Sequence, residues 1–147
     1  VVGGIGLIAM VALAACASGP DETLVFTIEQ ALATSPNGAA LHRSVPGAWE
    51  RLCVFRPYTP VVRVDSVLGF SWRGAESSGI ESRDDSTLLV FATADDVDRW
   101  GLFPREKGDF TAPEGTYCVE RGDAVFQLRQ PIDGSMPWVG PVTRDSL

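Results

Sequence analysis

The stretch TLLVFATADDVDRWGLF, from Thr87 to Phe103, decides the fold class. Thr87 to Ala92 is a short run of apolar and β-branched residues of strand length. Asp95-Asp96 supplies a turn, because adjacent Asp side chains hydrogen-bond their own backbone there. Val97 to Phe103 returns as a second strand, so the stretch predicts an antiparallel hairpin. Towards the C-terminus, Thr116 to Glu120 and Ala124 to Arg129 flank Arg121-Gly122-Asp123. Gly in a three-residue turn between two such runs predicts a second hairpin. Towards the N-terminus, Leu52 to Phe55 has the length and character of another strand.

Helical pattern is scarcer. Thr59-Pro60 resembles an N-cap followed by Pro at the first helical position, and Gly69 is a stop. Between them Val61, Val64, Val67 and Leu68 fall within roughly a 120° arc, with Arg63, Asp65 and Ser66 outside it. Thr23 to Ile28 alternates like a strand, but run on to Leu32 it also fits a helix face. Ser35-Pro36-Asn37-Gly38 and Ser44-Val45-Pro46-Gly47 are breakers, with a weakly patterned surface excursion expected between them. Gly74 to Ser86 and Arg105 to Gly115 read as polar loops, and the tail from Gln130, with Pro131, Pro137 and Pro141, as irregular. The expected fold is α+β: a small antiparallel sheet of four to five strands with one or two helices packed on one face.

Val1 to Ala15 contain no charged residue, and twelve of the fifteen are apolar. The run is too short to span a bilayer, which takes about 20 residues, and has the character of a secretory h-region. It ends in Leu13-Ala14-Ala15-Cys16, which resembles the lipobox of bacterial lipoproteins. That resemblance implies removal of residues 1–15, a diacylglyceryl group on the Cys16 thiol, further acylation by fatty acid, and a place in the bacterial cell envelope. It divides the chain into a signal peptide (1–15), a lipidated Cys and tether (16–22) and one globular domain (23–147). By resemblance to Gram-negative lipoproteins, Ala17 favours the outer membrane, facing the periplasm. No basic stretch precedes the run and the chain opens on Val, so a few upstream residues or an unusual start codon are expected.

Composition narrows the partners. The formal charge of −7 argues against nucleic acid and against a polybasic contact with anionic lipid. With Cys16 assigned to lipid, Cys53 and Cys118 remain, and an even remainder in an exported protein invites a disulfide. The alternative is two free thiols packed as small hydrophobes, since both lie in apolar runs.

Chemistry-bearing constellations are thin. His42, the single histidine, is expected in an exposed loop, and no G-x-S-x-G motif accompanies it. Asp84-Asp85, Asp95-Asp96 with Asp98, and Glu106 with Asp109 lack the alternating oxygen pattern of a calcium loop. No catalytic residue, metal site or cofactor is therefore expected. Arg121-Gly122-Asp123 is assigned to structure. Of the four tryptophans, Trp49, Trp72 and Trp100 are expected to close a small core beside Phe55, Phe70 and Phe91. Trp138, in the Pro-flanked tail, is the candidate for an exposed contact.

The functional expectation is a lipid-anchored envelope protein acting by binding or structural interaction, its partner another envelope protein or a cell-wall component. Two alternatives have distinct signatures. A small hydrolase using carboxylates needs a convergent acidic pair with raised pKa values, and a carbohydrate-binding module needs two or more coplanar exposed tryptophans. If Cys16 is lipidated, intact mass spectrometry of the membrane fraction will show an excess of diacylglyceryl plus fatty acid. Cys16→Ala abolishes that excess and releases the protein from the membrane; an unmodified wild type would dismiss the anchor.

Overall fold

Every one of the seven residues of Ser86–Ala92 is buried, so the sheet around this strand is covered on both faces. The computed structural model describes residues 19–111 and 115–143; the Leu13-Ala14-Ala15-Cys16 tetrad lies outside them. The elements, in chain order, are α1 (Glu22–Thr34), β1 (Ala39–Ala40), α2 (Leu41–Ser44), β2 (Arg51–Phe55), α3 (Val61–Leu68), α4 (Arg73–Ser77), β3 (Ser86–Ala92), β4 (Val97–Pro104), β5 (Tyr117–Glu120), β6 (Val125–Arg129) and β7 (Trp138–Pro141). They form an α+β fold with two antiparallel sheets, one of four strands ordered β4-β3-β2-β5 and one of three ordered β1-β6-β7.

Because successive side chains of a strand point to opposite faces, β2 and β3 feed two cores. Leu52, Val54, Leu89 and Phe91 pack with Leu24, Ile28 and Leu32 of α1 and with Phe126 and Val139 of the smaller sheet. Cys53, Phe55, Leu88 and Val90 pack on the other side with Val64 and Leu68 of α3, Ala75 of α4 and Ile80. Helices therefore lie on both faces of the larger sheet, not on one, and the strands divide between two sheets.

Local chemistry sets the helices. The ambiguous segment after Thr23 is helical: the Asp21 carboxylate accepts from the Thr23 and Leu24 backbone N–H groups, capping α1. Leu24, Ile28 and Leu32 recur every fourth residue and bury one stripe, each contributing about 1.5–3 kcal/mol. For α3 the expected cap is displaced by one residue. The Thr59 hydroxyl is spent donating to the Arg56 carbonyl (2.6 Å), so Pro60 occupies the cap position. Gly69 ends α3 as expected, at φ 82°, where a side chain would be strained.

Four other expectations are corrected. The excursion after Gly38 is not superficial: it holds β1 and α2, with Ala39, Leu41 and Val45 buried. The segment from Gly74 to Ser86 contains most of α4 and a 3₁₀ turn that bury Ala75 and Ile80. The irregular tail holds β7, which pairs with β6. The hairpin around Arg121-Gly122-Asp123 does not form. β5 joins β2 while β6 joins β1 and β7, and the tripeptide carries the chain between sheets as a 3₁₀ turn. Arg121 decides this, its N–H donating to the Glu50 carbonyl (2.8 Å) and its guanidinium lying 4.5 Å from the Trp49 ring centroid. The same guanidinium donates to the Gly47 and Trp49 carbonyls.

Cys53 and Cys118 sit directly opposite each other in the β2–β5 ladder, Cα atoms 4.0 Å apart, and form a disulfide. The bond spans 65 residues, and in the chain-entropy account its loss costs about 4 kcal/mol. Cys118→Ser, at the exposed partner, therefore lowers the urea midpoint of unfolding by a corresponding amount without opening a core cavity. An unchanged midpoint would show that the bond does not constrain the unfolded chain.

Candidate functional site

Trp138 stands on β7, opposite Arg129 of β6. Its neighbour Val139 is buried against the core, so Trp138 and Gly140 point to the outer face with Gln127 and Arg129. A Cβ at Gly140 would lie 2.3 Å from Trp138 Cζ3. The indole thus lies along the strand over Gly140, which has no side chain to lift it. Gln127, Arg129, Trp138, Gly140, Pro141 and Val142 line a shallow hollow of about 50 Å³. The Gln127 amide nitrogen donates to the Pro36 carbonyl (2.7 Å). Trp138 is half-buried, part of an edge strand rather than a loose tail.

The other tryptophans are structural, as expected. Trp49 is 1 % exposed, meets Phe91 edge-on at 5.0 Å, and donates its indole N–H to the Val45 carbonyl. Trp72 and Trp100 meet edge-on at 5.4 Å in the second core, with Phe55 in the same cluster. A platform of coplanar exposed tryptophans is therefore not formed by this set.

Asp84, Asp85 and Glu106 come together around Arg105 in one hollow of about 430 Å³, which Asp95, Asp96 and Asp98 do not line. Asp85 pairs with Arg83 (3.3 Å) and Asp98 with Arg99 (3.5 Å), while Asp96 closes the β3–β4 turn with Thr93. Among the described residues, no group of three or more His, Cys, Asp or Glu side chains is placed to hold a metal ion. His42 lies on α2, half-buried, rather than in an exposed loop.

Among the described residues, Asp109 is the buried carboxylate. Burial alone would raise its pKa, but the Thr111 hydroxyl and backbone N–H and the Arg105 guanidinium (2.8 Å) all donate to it. Together with the Arg105 charge they hold its carboxyl below the ordinary value. The same residue pins β7: its N–H donates to the Pro137 carbonyl and its carbonyl accepts from Val139, both at 2.9 Å.

A second concavity went unnoticed in the sequence. Arg56, Tyr58, Thr59, Pro60, Arg63, Gly115 and Thr116 enclose about 300 Å³ where the β2–α3 turn meets the approach to β5. The Arg56 N–H donates to the Thr116 hydroxyl (3.3 Å), continuing the β2–β5 ladder beyond its last pair. Tyr58 adopts φ 62°, a left-handed conformation that costs a bulky residue about 1–2 kcal/mol. Its N–H is held by the Ile80 carbonyl (2.9 Å), and the residue remains 61 % exposed. Pro57 and Pro60 around Tyr58 signal a turn, but a positive φ at Tyr58 has no sequence signature.

Comparison with known protein families, with curated proteins and with solved structures finds no match to this chain.

Asp109 gives a pH signature with a definite sign. Since its native pKa is depressed, its contribution is complete above about pH 4, the ordinary carboxylate value, and is lost as pH falls through the lower native value. Asp109→Asn costs about 2 kcal/mol at pH 7, and urea unfolding at pH 7 and pH 3 will show a smaller difference for the variant than for wild type. Equal acid sensitivity in the two proteins would remove Asp109 as a source of it.

Proposed function

We propose that this chain is a lipid-anchored protein of the bacterial cell envelope that acts by binding. The observation that carries the reading is the Cys53–Cys118 disulfide. Such bonds persist in oxidising compartments outside the cytosol, which agrees with export directed by Val1–Ala15 and anchoring through Cys16. Acyl chains contribute about 0.8 kcal/mol per buried methylene, so two or three make attachment effectively permanent.

The binding surface in this reading is the outer face of β6 and β7. A half-buried indole seated over Gly140, beside Arg129 and Gln127, suits a sugar ring. The apolar face of the sugar stacks on Trp138, while its hydroxyls meet Arg129 and Gln127. The partner in this reading is a cell-wall component met through one stacking contact, and not the ligand of a carbohydrate-binding module, whose paired tryptophans this set does not form. The carboxylate-hydrolase alternative wants a carboxyl with a raised pKa, and Asp109 and Asp133 both shift the other way. Asp109 is held down as described, and Asp133 by hydrogen bonds from Ser135.

The test is co-sedimentation of the protein with purified cell-wall glycan. Trp138→Ala weakens binding roughly three- to tenfold, the worth of one aromatic contact, and Trp138→Phe retains part of it. Equal sedimentation of wild type and Trp138→Ala would overturn this surface.

A further inference from the structure

The cleft between the β2–α3 turn and the approach to β5 lies apart from Trp138, which stands in the other sheet. In a chain of net charge −7, this concavity is lined by two arginines, Arg56 and Arg63, and by no carboxylate among the described residues. Neither guanidinium is engaged in an ion pair with a described residue, whereas Arg83, Arg99 and Arg105 each hold an aspartate. Two like charges sharing one hollow repel, and an anion between them reverses the sign of that interaction.

The hydroxyls around the arginines are set to help. Thr116 accepts from the Arg56 N–H, so its own proton is directed elsewhere and can be donated to a ligand. Thr59 has already donated to the Arg56 carbonyl and serves as a wall. Tyr58, held in its left-handed conformation by Ile80, places an exposed phenol at the rim. By contrast, the larger hollow of about 430 Å³ beside Asp84 and Glu106 carries three carboxylates, and its arginine is committed to Asp109.

We propose that this cleft binds the phosphate group of a small phosphate ester, with Arg56 and Arg63 as its principal ligands. Guanidinium forks match phosphate oxygens two at a time. The volume sits at the lower end of small-molecule pockets, about 300–1,000 Å³. It leaves room beyond the phosphate for a polar body of glycerol size, against which the Tyr58 ring can lie.

The experiment is isothermal titration calorimetry of the full chain, carrying Cys16→Ala and held in a neutral detergent. Free glycerol 3-phosphate is titrated in one arm and micelles doped with phosphatidylglycerol in the other. Saturable binding in the first arm identifies a soluble ester; binding confined to the second identifies a lipid headgroup. In either case Arg56→Ala and Arg63→Ala each weaken it roughly tenfold or more, as expected for a lost charged hydrogen bond, and Arg56→Lys restores part of the loss. Both arginines are exposed, so the variants fold, and Trp138→Ala leaves this binding unchanged. Heat in neither arm, or affinity indifferent to both arginine substitutions, overturns the proposal.

Discussion

Antiparallel pairing of β2 with β3 is the interaction on which the other elements depend. Five residue pairs from Arg51–Ala92 to Phe55–Leu88 put one apolar side chain after another on alternate faces. Neither face can be left to water, since each fully exposed Leu or Phe would forfeit about 1.5–3 kcal/mol. One face is closed by α1 and the three-stranded sheet, the other by α3, α4 and the turn at Ile80. The covering elements are short and have little intrinsic stability. α3 carries four valines in eight residues, a composition that lowers helix propensity. Its existence follows from the face that it covers.

Both candidate binding surfaces lie where this covering stops. Trp138 stands on the uncovered side of the small sheet, whose other side completes the first core through Phe126 and Val139. Arg56 and Tyr58 stand beyond the end of β2, where the strand leaves the sheet and the chain turns into α3. Among the described residues the interior is apolar side chains packed against each other, a few buried hydroxyls, and the engaged carboxylate of Asp109. Recognition therefore belongs to the margins of the sheets, and the two surfaces differ in kind: a flat aromatic face and a cationic hollow.

How legible this was in the sequence depended on whether the deciding contact was local. The β3–β4 hairpin, the strand at Leu52 and the arc of α3 each leave a pattern within a few residues of sequence, and those patterns name them. The α+β class and the burial of Trp49, Trp72 and Trp100 follow from the same signals. The second hairpin failed because its turn signal was local while its partners were not. Arg121 is drawn to Glu50 and Trp49, and Cys118 to Cys53, so β5 is taken into the larger sheet before β6 begins. Ala39 to Val45 lacks periodicity because it is buried by contacts with α1 and β6 rather than along one stripe. Trp138 was singled out for its flanking prolines, yet its use of Gly140 as a seat is a feature of the fold. The cleft was illegible for a similar reason: Arg56 and Thr116 are 60 residues apart and meet only through the β2–β5 ladder.

The two sulfurs of that ladder live in different surroundings. Cys118 is exposed on an edge strand, while Cys53 is completely buried among Phe55, Val64 and Val90. An external thiolate that attacks the accessible sulfur forms its new bond to Cys118 and expels the electron pair onto Cys53. The leaving group would be a thiolate born in an apolar interior, where desolvation raises thiol pKa and slows departure. One partner of the bond is an exposed residue, yet exchange from that side releases the worse leaving group. The asymmetry protects the crosslink kinetically, leaving reduction to proceed after the sheet has opened.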